Sequence, residues 1–443
     1  MEFMSCPFGR FYLFREQQFM ELEKSLPIEV RTLKNGLKAV VQHNPASPVV
    51  CIYLSYLVGS KDEPFNKTGS AHLFEHLMFE GSENVPKGEF DKICSGAGGT
   101  NNAYTTYDHT AYYMTLPANK LELGLWLESD RMNGFSISQK ALDTQIQVVC
   151  EEIRQTVDEQ PYGRWREKML KKAFSDKCSY SWDVYGSAEH VESVTLEDCK
   201  EFFSGFYRPD NAALVVAGKA EPNETFELIE KYFGTIKVPE RKMERNFFDE
   251  GYKSGGHIVE YEDFAPMPAS FLSYHIPGFD SDDIFKAELI AYILGSGKSA
   301  RLYDSLIYEK QLAAQAGAYA DLRIDTSLLN FYIIGQNPES KPGDLAKAVI
   351  EEIDKVKQDL VSEKEMEKAQ NQLRTILAGE LQYAGGIADL LSNQTLFWKD
   401  PTRVYTLLDK YKRVTLEQLR DFTRKYLVES NLTRVDVSPK NGR

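Results

Sequence analysis

The chain has 443 residues, 42% hydrophobic and 27% charged, with a net charge of −14. That length exceeds one ordinary core and requires several domains or a duplication. The acidity leaves no basic face for nucleic acid, and no run reaches the ~20 apolar residues of a membrane span.

Residues 1–27 are interrupted early by Arg10 and Glu16 and lack the continuous apolar core of a signal peptide, so they read as an N-terminal extension ahead of the fold. A cytoplasmic location is the expectation. EVRTLKNGLKAVVQH places Asn35-Gly36 between two alternating runs, a hairpin signal. VVCIYLSYLVGS follows as a strand, GSAHLFEHLMFEG as a helix, and FDKICSGAG as a second helix with a glycine stop. NNAYTTYDHTAYYMTL alternates and is rich in Thr and Tyr, hence strand or hairpin. ANKLELGLWLESDRMNG reads as an amphipathic helix, and ALDTQIQVVCEEIRQTVDEQP as another that ends before Pro161. The pattern then recurs, with FLSYHI as strand, DDIFKAELIAYILG as helix, LLNFYIIG as strand and DLAKAVIEEIDKVKQ as helix. VSEKEMEKAQ reads as a solvated helix face. All six cysteines lie in the first half and none forms a C-x-x-C pair, so free thiols are expected rather than a disulfide framework.

The recurrence has a fixed spacing. VTLEDCKEFFSGFYRPDNAALVVAG begins at Val194 and VTLEQLRDFTRKYLVESNLTRVDVSP at Val414, 220 residues later, and Asn211 and Asn431 keep the same offset. Both stretches read as a helix opened by Thr, a short link, an Asn and a β-branched strand. This points to two homologous halves, 28–240 and 256–443, joined by a charged linker over 241–255 that ends in Gly-Gly. Adjacent strands without a strict βαβ rhythm predict α+β halves, each a mostly antiparallel sheet covered by helices.

Two of the seven histidines, His72 and His76, stand four apart on the predicted helix with Glu75 between them. Positions i and i+4 face the same way, so both imidazoles can aim at one point. Neutral imidazole suits zinc, and Glu75, offset on nearly the same face, can reach a water held on the metal. Zinc brings such a water to a pKa of about 7. The order H-x-x-E-H is the reversed, inverzincin form of the familiar zinc-peptidase motif. The competing explanation is a pair of half-buried helix histidines with polar neighbours. Zinc usually takes three protein ligands; a carboxylate is the natural third, and Glu151 and Glu152 sit mid-helix among apolar residues.

From about residue 28 onward the chain resembles the pitrilysin family of zinc peptidases, especially the short bacterial members and the mitochondrial processing peptidase subunits. HLFEH (72–76), NNAYTTYDHTAYY (101–113), VVCEEI (148–153) and YRPDNAALVVAG (207–218) carry the resemblance. It implies two homologous α+β halves and one Zn2+ held by His72, His76 and Glu152, the second Glu of the pair, with Glu75 as general base. It also implies that Asn101, Asn102 and Ala103 lie on a free strand edge to which an extended peptide adds by main-chain bonding. Two such chains usually enclose a chamber.

Two departures bear on activity. Active single-chain relatives carry an Arg and a Tyr seven apart after a GSxxSRL-like stretch, bonding the substrate and its developing oxyanion; here GSGKSARLYDSLIYEKQLAAQAGAY places Tyr308 and Gln315 there. The family often has a Glu seven before the distal ligand, where this chain has Gln145, which weakens outer support of the site. The second-half helix carries no metal-type set. This division resembles the heterodimeric members, in which a homologous subunit supplies the Arg/Tyr pair. A homodimer using Tyr319 or Arg323 is the alternative. His109, Trp126 and Trp165 read as packing residues, and His190, His257 and His275 show no partner spacing. The expected function is a zinc endopeptidase or oligopeptidase subunit acting on peptides. The alternative is a non-catalytic structural or assembly subunit.

Overall fold

The computed structural model describes residues 26–240, Arg245 and 255–440. Most of the expected extension over 1–27 and of the linker over 241–255 lies outside them.

Two sheets organise the described residues. The first contains β1 (Ile28–Thr32), β2 (Lys38–His43), β3 (Val49–Tyr56), β4 (Thr100–Thr105), β5 (Thr110–Pro117) and β6 (Ala212–Gly218), in the order β1-β2-β6-β3-β5-β4. The second contains β7 (Gly256–Glu262), β8 (Ala269–Pro277), β9 (Ala313–Asp321), β10 (Thr326–Gly335) and β11 (Leu432–Pro439), in the order β7-β11-β8-β10-β9. With β1 set aside the two orders coincide. Each has one parallel pair, β2–β6 or β7–β11, and antiparallel neighbours otherwise. The fold is α+β, with helices between and over the sheets.

Residues at the 220-residue offset do the same physical work twice. Thr195 and Thr415 each open a helix, Leu196–Phe206 and Leu416–Tyr426, with a capping box completed by Asp198 and Gln418. The Asn211 amide donates to the carbonyls of Phe206 (2.9 Å) and Leu57 (3.2 Å). Asn431 donates to those of Tyr426 (2.7 Å) and His275 (2.9 Å). Each amide ties the end of its helix to the strand beside it.

The Asn35-Gly36 turn joins β1 to β2 as its sequence predicts. Gly36 has φ +88°, and a Cβ there would stand 2.8 Å from Asp210 Cβ. One face of the first sheet packs its apolar side chains on the helices Ser70–Leu77, Leu121–Asn133, Leu196–Phe206 and Pro222–Phe233. Leu121–Asn133 departs from its expected amphipathic form. It buries Glu128, Asp130 and Arg131, with the Arg131 guanidinium bonded to Glu128 and 4.4 Å from the ring centres of Phe90 and Tyr112. A buried charge is tolerated there because it is paired and stacked.

The other face of each sheet is covered by the opposite half. The helix Ala384–Trp398, from the second half, lays Ile387, Ala388 and Leu391 on Val40, Cys51, Tyr53, Ala111, Val215 and Ala217. The helix Trp165–Ala173, from the first half, lays Met169 against Ala269, Phe271, Val435 and Val437, and Trp165 stacks on Phe271 at 4.4 Å. A polar seam completes the join. Lys61 Nζ lies 2.8 Å from Asp108 and 3.2 Å from Asp325, and Asp108 also accepts from Tyr180 (2.6 Å) and from the N–H of Ile324 (3.1 Å).

Candidate metal centre

The helix Ser70–Leu77 has no Ser, Thr or Asp at its N-cap. Gly69 stands there at φ +89°, and a Cβ would meet the Tyr185 carbonyl oxygen at 2.5 Å. The cap is supplied through space. The buried Glu63 carboxylate accepts the N–H groups of Gly69 (2.9 Å) and Ala71 (2.7 Å) and the Trp182 indole N–H (2.9 Å). Burial pushes the Glu63 carboxyl up to about 8, against the three hydrogen bonds that favour its charged form. Leu73, Phe74 and Leu77 face the core, with Phe74 against Phe202 and Tyr207. That fixes the rotation of the helix and turns His72, Glu75 and His76 away from the core together.

The helix Gln139–Ile153 comes alongside. Ser138 caps it, and Leu142, Val149 and Ile153 anchor it in the core. Its two adjacent glutamates part company. Glu151 faces out and binds Arg154 (2.8 Å), whereas the half-buried Glu152 faces the histidines. Glu152 Oε2 lies 3.4 Å from both His72 Nε2 and His76 Nε2. The three ligand atoms all fall within 4.8 Å of one another.

This set fits zinc. Ligands about 2.0–2.1 Å from a tetrahedral ion stand roughly 3.3 Å apart. His72 Nε2 is buried without a hydrogen-bond partner, as suits a nitrogen whose lone pair is meant for a metal. Burial works against a proton on His72, but Glu152 and Glu75 outweigh it and raise its pKa to about 9. The two imidazoles hold Glu152 well below the usual carboxylate range.

Glu75 sits beside this triangle. Thr105, the last residue of β4, donates its hydroxyl to Glu75 Oε2, and His72 Nδ1 lies 3.5 Å from the same oxygen. Tyr185 presents its ring edge-on to His72 at 5.2 Å. Asn101, Asn102 and Ala103 lie on β4, the edge strand of the first sheet, and the Asn102 side chain takes the N–H of Ala103 (2.9 Å).

The other singled-out residues lie elsewhere. Gln145 donates to Glu80 (2.7 Å) rather than to a metal ligand. Tyr308 is 73% exposed, and Gln315 is exposed on β9. Arg323 is wholly enclosed, 3.6 Å above the Tyr107 ring and 2.7 Å from Asp321, and as placed it serves the seam between the halves. His109 is buried beside Thr106 and Tyr104, and burial pushes its pKa down to about 4. Sequence reasoning missed Glu63, Thr105, Trp182 and Tyr185. The dense aromatics of SYSWDVYGS are the only local hint of the last two.

Taken together, a duplicated α+β fold with an H-x-x-E-H helix facing a distant carboxylate presents the residue set of a candidate peptidase-type metal centre. Residues 38–181 match the insulinase family, Peptidase family M16, and residues 193–373 match the Peptidase M16 inactive domain. A zinc protease, PqqE, of Helicobacter pylori is 30% identical, with 82% of each chain covered. A probable mitochondrial-processing peptidase subunit beta of Schizosaccharomyces pombe is 25% identical over 83% of this chain and 82% of its own. The crystal structure of a Helicobacter pylori protease superposes with a TM-score of 0.89 at 28% identity, covering 94% of this chain and 100% of that one. The chain belongs to the M16, or pitrilysin, family of peptidases.

Proposed function

We propose that this chain is the zinc-bearing subunit of a peptide-cleaving enzyme. The observation that carries the reading is the convergence of His72, His76 and Glu152 on one point, with Glu75 held beside it by Thr105. A zinc ion, which His72, His76 and Glu152 would hold, would supply Lewis acidity and lower the pKa of a water. With Oε2 fixed by Thr105, Glu75 Oε1 would hold the proton and return it to the leaving amine. The free edge of β4 receives the substrate as an added strand, with Ala103 small enough to admit its backbone.

Stabilising the developing oxyanion needs donors, and among the described residues the two second-half positions expected to supply them do not carry the expected pair. Removal of one such donor typically costs ~10²–10³ in rate. Tyr308 and Gln315 stand where Arg and Tyr are expected, and Arg323 is committed to Asp321. A homologous partner chain therefore completes the enzyme. Elemental analysis tests the metal: one zinc per chain is expected, lost in His76→Ala. Glu75→Gln should keep zinc and lose peptide hydrolysis by about 10²-fold or more. Loss of zinc in Glu75→Gln would make Glu75 a ligand and sink the assignment of the base.

A further inference from the structure

The seam between the halves holds a half-open cleft of about 470 Å³ lined by Thr105–His109, Arg166 and Val184 of the first half and by Phe279, Asp321, Leu322 and the helix face 390–398 of the second. It begins at Thr105, the residue that ends β4 and bonds Glu75. Its second-half wall is an aromatic shelf, with Phe279 stacked on Phe397 at 5.0 Å and Trp398 edge-on to Phe279 at 5.0 Å. Leu390 and Leu322 extend the apolar lining.

We infer that this cavity is the subsite for the peptide segment on the N-terminal side of the cleaved bond, and that it selects an aromatic or large aliphatic side chain. The inference rests on the peptidase reading. Its direction follows from the sheet. β6, β3, β5 and β4 are all paired antiparallel, and a peptide added to β4 in the same way runs against it. β4 ends at Thr105 beside the cavity, so the N-terminal part of the peptide arrives there. The shelf of Phe279, Phe397 and Trp398 then covers an apolar side chain of the peptide. The second half thus reads the substrate although it supplies no metal ligand.

The test uses full-length Glu75→Gln protein and a short fluorescein-labelled peptide in which a single Phe is moved along an otherwise small, polar sequence. Fluorescence anisotropy should show binding about tenfold tighter with Phe in the N-terminal part than with Ala there. Asn393→Trp, which fills the cavity, should erase that preference while leaving zinc content and melting temperature unchanged. A benzophenone-bearing peptide on the unfilled cavity should crosslink within 105–109 or 393–398, a readout independent of any variant's folding. Peptides that bind without N-terminal preference, or crosslinks confined elsewhere, would overturn the subsite and leave the peptidase reading standing. A zinc-loaded chain that binds no peptide would overturn both.

Discussion

Glu75 and the proposed metal ligands each depend on one residue that the sequence does not advertise. Thr105 is 30 positions from Glu75 and reaches it only because β4 runs beside the motif helix. Thr105→Val keeps the shape and removes the donor. Peptide hydrolysis should fall about 10–100-fold with zinc content unchanged, the usual scale for an outer partner of a site. An unchanged rate would show that the bond does not position the base. Glu63 holds the first turn of the same helix. Glu63→Gln turns an amide N–H₂ toward N–H groups, leaves at least one donor unpaired, and should lower stability by about 1–3 kcal/mol. Zinc should also pass faster to a chelator. The i, i+4 histidines were legible because a helix alone brings them together. Glu152 was narrowed down by resemblance and is separated from Glu151 in space by Arg154. Glu63, Thr105, Trp182 and Tyr185 were not legible because tertiary packing alone brings them near.

At the level of elements, alternation and turn chemistry located most strands. Patterning failed where an element has no solvent face. Leu121–Asn133 carries charges as polar as any surface helix, yet encloses them in paired and stacked contacts. Ala384–Trp398 opens with two glycines and buries most of its length, so no apolar stripe announces it. Leu391 on that helix is completely buried against the first sheet. Leu391→Ala should cost about 2–5 kcal/mol in urea unfolding, although the residue belongs to the other half. The helix Asp283–Gly295, which follows β8 as the motif helix follows β3, holds Glu288 where the metal ligands have no counterpart. Burial pushes the Glu288 carboxyl up to about 7, against the opposing hydrogen bond from Tyr411 (2.6 Å). A raised pKa in the folded state favours the protonated form there, so this group's contribution to stability is full below about pH 4.5 and is lost as pH rises through about 7. Melting curves should show Glu288→Gln more stable than the parent at pH 8 and equal to it at pH 5. A gap of the same size at both values would refute the role of this group.

On the scale of the whole molecule, the two halves are held by more than the chain that joins them. Each sheet has one face that only the other half covers, and Lys61, Asp108 and Asp325 bridge the seam. A protease site inserted after Glu240 should, once cut, leave fragments that co-elute on size exclusion and separate only under denaturant. Either fragment made alone should aggregate, since a bare apolar sheet face of this size draws further association.

The exchanged helices also say something about origin. A single half, as an ancestral protein of about 220 residues, could not have kept both sheet faces dry. Its helix would have lain on the sheet of an identical neighbour, and that neighbour's helix on its own. The ancestor implied by this geometry is an interlocked homodimer. Fusing its two chains into one freed each copy to change separately. One now carries His72, His76 and Glu152, and the other carries Phe279 and the helix face 390–398 of the cleft beside Thr105.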